Sequence, residues 1–101
     1  MILMINTEYY LLEVLVRNHP GVMSHITGLF ARRAFNLEGI LCARVGDGTS
    51  SKMFLLVKND DVLDQIIKQV QKLYDVIEVN LHQDYDVKVF ENLENLLKLS
   101  N

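Results

Sequence analysis

The chain has 101 residues, of which 50% are hydrophobic and 23% are charged, and its formal net charge is −3. This length favours one domain with a single core, so we expect any binding site to be small or to be shared with a second chain. The mild acidity argues against a protein that coats nucleic acid, because such binding requires a surplus of clustered Lys and Arg.

Two features indicate where the protein works. The single cysteine, Cys42, cannot form an internal disulfide framework, so we expect a reducing, cytoplasmic environment and a buried, inert thiol. The apolar residues 1–4 are too few for a signal peptide or a membrane span. We therefore expect no membrane partner, and we treat residues 1–8 as an N-terminal segment outside the domain.

The first half of the chain predicts a strand, a loop and a helix. The strand runs from Tyr9 to Arg17 and has one wholly apolar face, formed by Tyr10, Leu12, Val14 and Val16. The Asn-His-Pro-Gly segment at 18–21 interrupts it, since Pro cannot donate to a ladder. A helix follows whose apolar stripe is Val22, Ile26, Leu29 and Phe30. We expect it to end near Phe35, with Asn36 as a left-handed cap.

The second half predicts two paired strands, a helix and a last strand. Strands around Leu37–Val45 and Lys52–Lys58 flank the turn residues 46–50, as in a hairpin. Asn59 or Asp60 can accept from the first amides of the next helix. The apolar stripe of that helix is Leu63, Ile66, Ile67, Val70 and Leu73. Residues 76–81 form the fourth predicted strand.

The order of these elements, βαββαβ, predicts an α+β, ferredoxin-like domain with a four-stranded antiparallel sheet and two helices on one face. We assign this domain to residues 9–81. Residues 82–101 form a short C-terminal extension, for which we expect a short strand, a helix or both. The second sheet face carries Leu11, Leu15, Phe54 and Leu56, so we expect another copy or a larger protein to cover it.

The segment from Asn18 to Val22 is the candidate binding loop. Amides at a helix N-terminus favour a carboxylate or phosphate, Gly21 permits close approach to the backbone, and Asn18 can both donate and accept. From these residues alone, an ordinary turn is the more frequent case. The small residues Ser24, Gly28 and Ala31 form a stripe that either admits a close neighbour or faces solvent.

Other catalytic or metal chemistry finds little support. The three histidines, His19, His25 and His82, lack a metal-ligand spacing, and one cysteine cannot complete a zinc cluster. An acylphosphatase-like site on this fold requires an Arg among the loop amides, whereas Arg17 precedes the loop. An RNA-binding surface requires aromatic residues in a basic context, and Phe54 alone does not provide it. We therefore expect no catalytic residue and no metal in this chain.

Residues 16–42 closely resemble the regulatory, small subunits of acetolactate synthase, also called acetohydroxyacid synthase, and above all the short, valine-sensitive isozyme I form. Such subunits are ACT domains, ferredoxin-like folds that bind amino acids. The pattern Asn18-x-x-Gly21 together with Asn36 matches the amino-acid-binding motif of that family. The resemblance is strong over residues 11–42 and continues in pattern only to about residue 81.

The resemblance implies a homodimer whose effector lies between protomers. Asn18, Gly21 and Val22 of one chain would hold the carboxylate and amine of the effector, and Asn36 of the other chain would close the site. Ser24 and Gly28 would lie near the dimer seam, where the two protomers meet.

The resemblance also implies a function in branched-chain amino acid biosynthesis. The chain would activate a large catalytic subunit and confer feedback inhibition by valine, with isoleucine and leucine left open as effectors. The catalytic subunit, and not this chain, would use thiamine diphosphate, magnesium and FAD. The alternative function is a stand-alone ACT-domain amino-acid sensor that regulates another protein.

Overall fold

The computed structural model describes residues 9–83, whose strands and helices follow the predicted order. The elements are β1 (Tyr9–Arg17), α1 (Val22–Arg32), β2 (Leu37–Val45), β3 (Ser50–Lys58), α2 (Leu63–Gln71) and β4 (Val76–His82). The strands form one antiparallel sheet with the spatial order β2-β3-β1-β4. The predicted ferredoxin-like fold is therefore confirmed. The expectations for residues 1–8 and for a strand or helix within 84–101 lie outside the described residues.

The core lies between one face of the sheet and both helices. Alternate residues of β1 and β3 point into it, and the paired residues Leu12 and Leu55 are both 0% exposed. The helices contribute Ile26, Leu29, Phe30, Leu63, Ile66 and Val70 to the same cluster. Full burial of one such side chain contributes about 1.5–3 kcal/mol. Neither helix has a side-chain cap hydrogen bond, and burial of these apolar stripes holds the helices to the sheet.

The C-terminus of α1 differs from the prediction, because the left-handed residue is Ala34, with φ 54°, and not Asn36. The Ala34 amide donates to the Ala31 carbonyl at 3.0 Å, and the Phe35 amide donates to the Phe30 carbonyl at 2.9 Å. These two bonds form a Schellman motif, which also brings the rings of Phe30 and Phe35 into edge-to-face contact at 6.0 Å. Burial of Phe35 offsets the cost of a left-handed alanine, about 1–2 kcal/mol.

The structure also refines the predicted start of β3 and the turn before α2. β3 begins at Ser50 instead of Lys52, because Ser50 and Ser51 pair with the last two residues of β1. Ahead of α2, Asp60 accepts from the Val62 amide through Oδ1 at 3.1 Å and from the Leu63 amide through its carbonyl at 3.0 Å. Asp60 therefore stabilises the turn that leads into α2.

Cys42 is exposed, so the predicted burial of its thiol is wrong. It lies on β2, an edge strand of the sheet, and its neighbour Ile40 is also 40% exposed. The physical reason is that the helices pack over the centre of the sheet and leave this edge uncovered. Partial desolvation still raises the pKa of Cys42 above its usual range, which keeps the sulfur protonated at neutral pH.

The outer face of the sheet combines apolar and charged residues. Leu11, Leu15, Phe54 and Leu56 are half-buried there. Glu13 lies in the middle of this face, where its carboxylate accepts from His82 Nε2 at 2.7 Å and from Lys52 Nζ at 3.1 Å. These donors hold the pKa of Glu13 below its usual value. Within residues 9–83, no helix is long and apolar enough to cross a membrane.

Candidate functional site

The loop between β1 and α1 is held to the turn of the β2–β3 hairpin by Asn18. The Asn18 amide donates to the Thr49 carbonyl at 3.0 Å, and its side-chain Nδ2 donates to the Gly48 carbonyl at 2.9 Å. Oδ1 and the second hydrogen of the Asn18 side chain give it capacity for a polar ligand. Asn18 therefore both shapes the loop and presents a group that can donate and accept.

Gly21 occupies the N-cap of α1 in the left-handed conformation, with φ 89° and ψ −8°. A side chain would be strained there, although a Cβ would meet no atom within 4 Å. Val22 follows with its side chain buried beside the loop and its backbone amide 3.4 Å from the His19 carbonyl oxygen. The first turn of α1 contains no acidic residue and no side-chain cap. The first amides of α1 therefore form an electropositive end that suits a carboxylate.

His19 links this loop to Asp75, the residue that precedes β4. Its Nε2 lies 2.5 Å from Asp75 Oδ1, and its Nδ1 lies 2.7 Å from the Pro20 carbonyl oxygen. Both partners are acceptors, so the two contacts together need a ring that donates from both nitrogens. Asp75 and, secondarily, the Pro20 carbonyl raise the pKa of His19 above its usual value. His25 Nδ1 lies 3.8 Å from the other oxygen of Asp75.

Arg17 fixes the other side of Asp75. The Arg17 amide donates to the Asp75 carbonyl at 2.8 Å, its Nη1 donates to the Tyr74 carbonyl at 3.0 Å, and its guanidinium lies 5.4 Å from the centre of the Tyr74 ring. A cavity of about 390 Å³ lies between these residues and α1. Its mostly apolar walls include Val22, Ile26, Leu73 and Val76.

Asn36 lies at the opposite end of α1 from this loop. The helix has 11 residues, which separates its ends by about 16 Å at 1.5 Å per residue. Asn36 is exposed, its Nδ2 donates to Glu38 Oε2 at 2.9 Å, and it lines a cavity of about 190 Å³ together with Lys58 and Asp60. The fold thus brings Asn18, Gly21 and Val22 together in one chain but leaves Asn36 remote from them.

The small residues Ser24 and Gly28 lie one turn apart on α1, where Ser24 is exposed and Gly28 is half-buried. A Cβ at Gly28 would lie 3.4 Å from Arg32 Nη1. Because both residues are small, few side-chain atoms project from this part of α1, between the two ends of the helix.

Asp75 is the member of this region that the sequence did not identify. It follows the apolar stripe of α2 by two residues and stands 56 residues after His19, with no motif around it. Its burial, with 9% of the side chain exposed, is visible only once the loop and the start of β4 are placed together. Among residues 9–83, no group of three His, Cys, Asp or Glu side chains could hold a metal ion.

Comparison with known proteins relates this geometry to a family. Residues 12–78 match the model described as an AHAS small subunit-like ACT domain. The chain is 56% identical over 73 residues to the acetolactate synthase isozyme 1 small subunit of Escherichia coli K12, which covers 72% of this chain and 76% of that protein. It is 41% identical over 70 residues to a probable acetolactate synthase small subunit of Archaeoglobus fulgidus, covering 68% of this chain and 44% of that one.

A solved structure agrees with these sequence matches. The small subunit of acetolactate synthase from Thermotoga maritima superposes with a TM-score of 0.65 at 39% identity. The match covers 72% of this chain and 46% of that one, so the chain spans less than half of the longer small subunits. With its fold, its loop and these matches, the chain belongs to the family of small, regulatory subunits of acetolactate synthase, as an ACT domain.

Proposed function

We propose that two copies of this chain bind valine between them and that the occupied dimer inhibits an acetolactate synthase catalytic subunit which the empty dimer activates. The observation that carries the proposal is the separation of the site residues. Asn18 and Gly21 lie at the N-terminal end of α1 and Asn36 follows its C-terminal end, about 16 Å away. A second chain related by a two-fold axis supplies the missing half of each site.

The chemistry of the loop fits an amino acid. The α1 amides next to Gly21 suit the carboxylate of the effector, and Oδ1 of Asn18 and of the partner's Asn36 can accept from its ammonium group. The effector side chain is expected to be aliphatic, because the walls of the adjoining cavity are mostly apolar. An apolar pocket separates ligands that differ by one methylene only about 10–200-fold, so isoleucine and leucine are expected to bind more weakly than valine but measurably.

The two-fold arrangement also assigns a role to the surface of α1. Antiparallel packing of α1 against its copy places each loop beside the C-terminal end of the other helix, as an isologous contact requires. Ser24 and Gly28 lie between the two ends of α1, and their small size permits close approach of the two helices. We therefore assign them to the dimer seam.

Regulation requires that valine binding and contact with the catalytic subunit influence each other. A coupling free energy of about 1–3 kcal/mol is typical of such linkage, and by reciprocity the catalytic subunit changes the valine affinity by the same factor. We assign thiamine diphosphate, magnesium and FAD to the catalytic subunit and none of them to this chain. A cytoplasmic location suits the single exposed thiol of Cys42, which a reducing environment keeps free.

The test is reconstitution with a purified catalytic subunit of an acetolactate synthase. Adding this chain should raise the rate of acetolactate formation, and valine should reverse the increase with the same half-saturation that calorimetry gives for valine binding to the reconstituted complex. Valine binding without any change in rate would instead favour a stand-alone ACT-domain sensor. Absence of valine binding, with the dimer intact, would refute the proposed site.

A further inference from the structure

We propose that Asp75 is a positioning residue for the valine site, which holds the binding loop in place through His19 and does so only while His19 carries a proton on both ring nitrogens. The inference rests on the proposed function, because it concerns the affinity of that same loop for valine. It assigns to the His19–Asp75 pair a regulatory property, namely that valine binds more tightly at lower pH.

Asp75 is a buried residue to which the loop between β1 and α1 is attached. Its side chain is nine-tenths buried, its carbonyl accepts from the Arg17 amide at 2.8 Å, and the next residue, Val76, begins β4. The loop residue His19, by contrast, has 41% of its side chain exposed. The short contact from His19 Nε2 to Asp75 Oδ1 therefore links an exposed loop to a buried residue at the start of β4.

The contacts of His19 continue directly to the amides that face the effector. Its Nδ1 donates to the Pro20 carbonyl at 2.7 Å, and its own carbonyl accepts from the Val22 amide at 3.4 Å. Gly21 lies between these two contacts in a left-handed conformation that no side chain restrains. Releasing His19 from Asp75 thus frees the segment that sets the direction of the first amides of α1.

The protonation requirement follows from the two partners of the His19 ring. A neutral imidazole carries one hydrogen and can donate to the Asp75 carboxylate or to the Pro20 carbonyl, but not to both. As the pH rises through the raised pKa of His19, the ring keeps only one of its two donors, so the connection from Asp75 through His19 to the Pro20 carbonyl is broken and the loop gains freedom.

Three other titratable groups face this pair, one on α1, one on β1 and one on the turn before β4. His25 of α1 lies 3.8 Å from Asp75, so it offers a second, more distant partner for the carboxylate. Arg17 of β1 directs its guanidinium to the Tyr74 carbonyl and ring on the turn before β4. Because Arg17 and Tyr74 pair with each other, His19 is the group whose proton changes the contact between loop and carboxylate.

The test measures valine dissociation constants by calorimetry between pH 6 and pH 9 for the full chain and three variants. The wild-type constant should rise by about threefold as the pH increases. Asp75→Asn and His19→Gln should bind more weakly at pH 6 and show no such rise. Asp61→Asn, which removes an exposed carboxylate ahead of α2, should keep the wild-type slope.

A measurement without valine separates this inference from the proposed function. In the free protein, an NMR titration should give His19 a lower pKa in Asp75→Asn, and the loop amides should exchange faster in both variants. If the wild type shows this coupling but binds no valine, the proposed function fails, whereas the attachment of the loop to Asp75 through His19 stands. An unchanged pH slope in a folded Asp75→Asn variant, or a wild-type affinity that does not vary with pH, would overturn the inference.

Discussion

The side-chain Nδ2 of Asn18 donates to the carbonyl of Gly48 at 2.9 Å, so the binding loop and the β2–β3 turn are joined by a residue that we also assign to the effector. Removing this side chain should therefore affect stability and binding together. Asn18→Ala is expected to lower the free energy of unfolding by about 1 kcal/mol, the usual net value of one hydrogen bond. It should also weaken valine binding by about tenfold or more.

Calorimetry and urea denaturation check this prediction, with Asn80→Ala as the control. Asn80 is an exposed residue of β4 whose Nδ2 donates to Glu78 at the same distance of 2.9 Å. The control should change neither the affinity nor the stability by more than a few tenths of a kcal/mol. Equal losses of affinity in the two variants would remove Asn18 from the site.

Substitution of Gly21 separates backbone strain from charge. Gly21→Ala places a side chain at φ 89° and should lower stability by about 1–2 kcal/mol while valine still binds. Gly21→Asp adds the same strain and a carboxylate where that of valine should lie, so it should abolish valine inhibition but spare activation of the catalytic subunit. Reconstituted activity with and without valine measures both effects. Unchanged valine affinity in Gly21→Asp would refute the assignment of this loop.

The left-handed Ala34 at the end of α1 predicts a stabilising substitution. Ala34→Gly should raise the free energy of unfolding by up to about 1 kcal/mol, because glycine adopts φ 54° without steric cost. The same change inside the helix, Ala31→Gly, should instead lower it by about 1 kcal/mol. Urea denaturation at one fixed protein concentration compares the two, since dimerisation makes stability concentration-dependent. Destabilisation by both substitutions would contradict the Schellman motif.

The Glu13 cluster on the outer sheet face predicts part of the acid sensitivity of the protein. Hydrogen bonds from His82 and Lys52 depress the pKa of Glu13 in the folded state. The resulting stabilisation is complete above the unfolded pKa, near 4.5, and is lost as the pH falls through the lower folded value.

Glu13→Gln should therefore lower the free energy of unfolding at pH 7 by about 1 kcal/mol and flatten its decline below about pH 4.5. Denaturation curves at a series of pH values measure the effect. Glu78→Gln, on the exposed edge strand β4, is the matched control and should follow the wild type. A wild-type acid limb in Glu13→Gln would show that Glu13 does not contribute to it.

The sequence predicted what depends on local pattern. The alternation of Leu12, Val14 and Val16 identified the buried face of β1, and the stripe of Ile26 and Phe30 identified the buried side of α1. At the C-terminal end of α1, the sequence predicted Asn36 as the left-handed residue, because Asn tolerates that conformation better than Ala. Burial of Phe35, a tertiary effect, favours the left-handed conformation at Ala34 instead.

The candidate site was predictable only in part, for a similar reason. Asn18 and Gly21 are close in sequence and form one loop, which their spacing already indicated. The contact between His19 and Asp75 joins residues 56 positions apart, and no periodicity reports such a contact. The remote position of Asn36 is likewise a property of the folded chain, set by the length of α1.

Each proposed valine site takes residues from two chains, and mixing two defective variants tests this arrangement. Gly21→Asp and Asn36→Asp homodimers should each bind no valine. In a heterodimer of the two, one site contains both substitutions and the other contains neither. An equal mixture, refolded together, should therefore recover about a quarter of the wild-type valine sites at wild-type affinity. Recovery of none, with heterodimers present, would contradict a shared site.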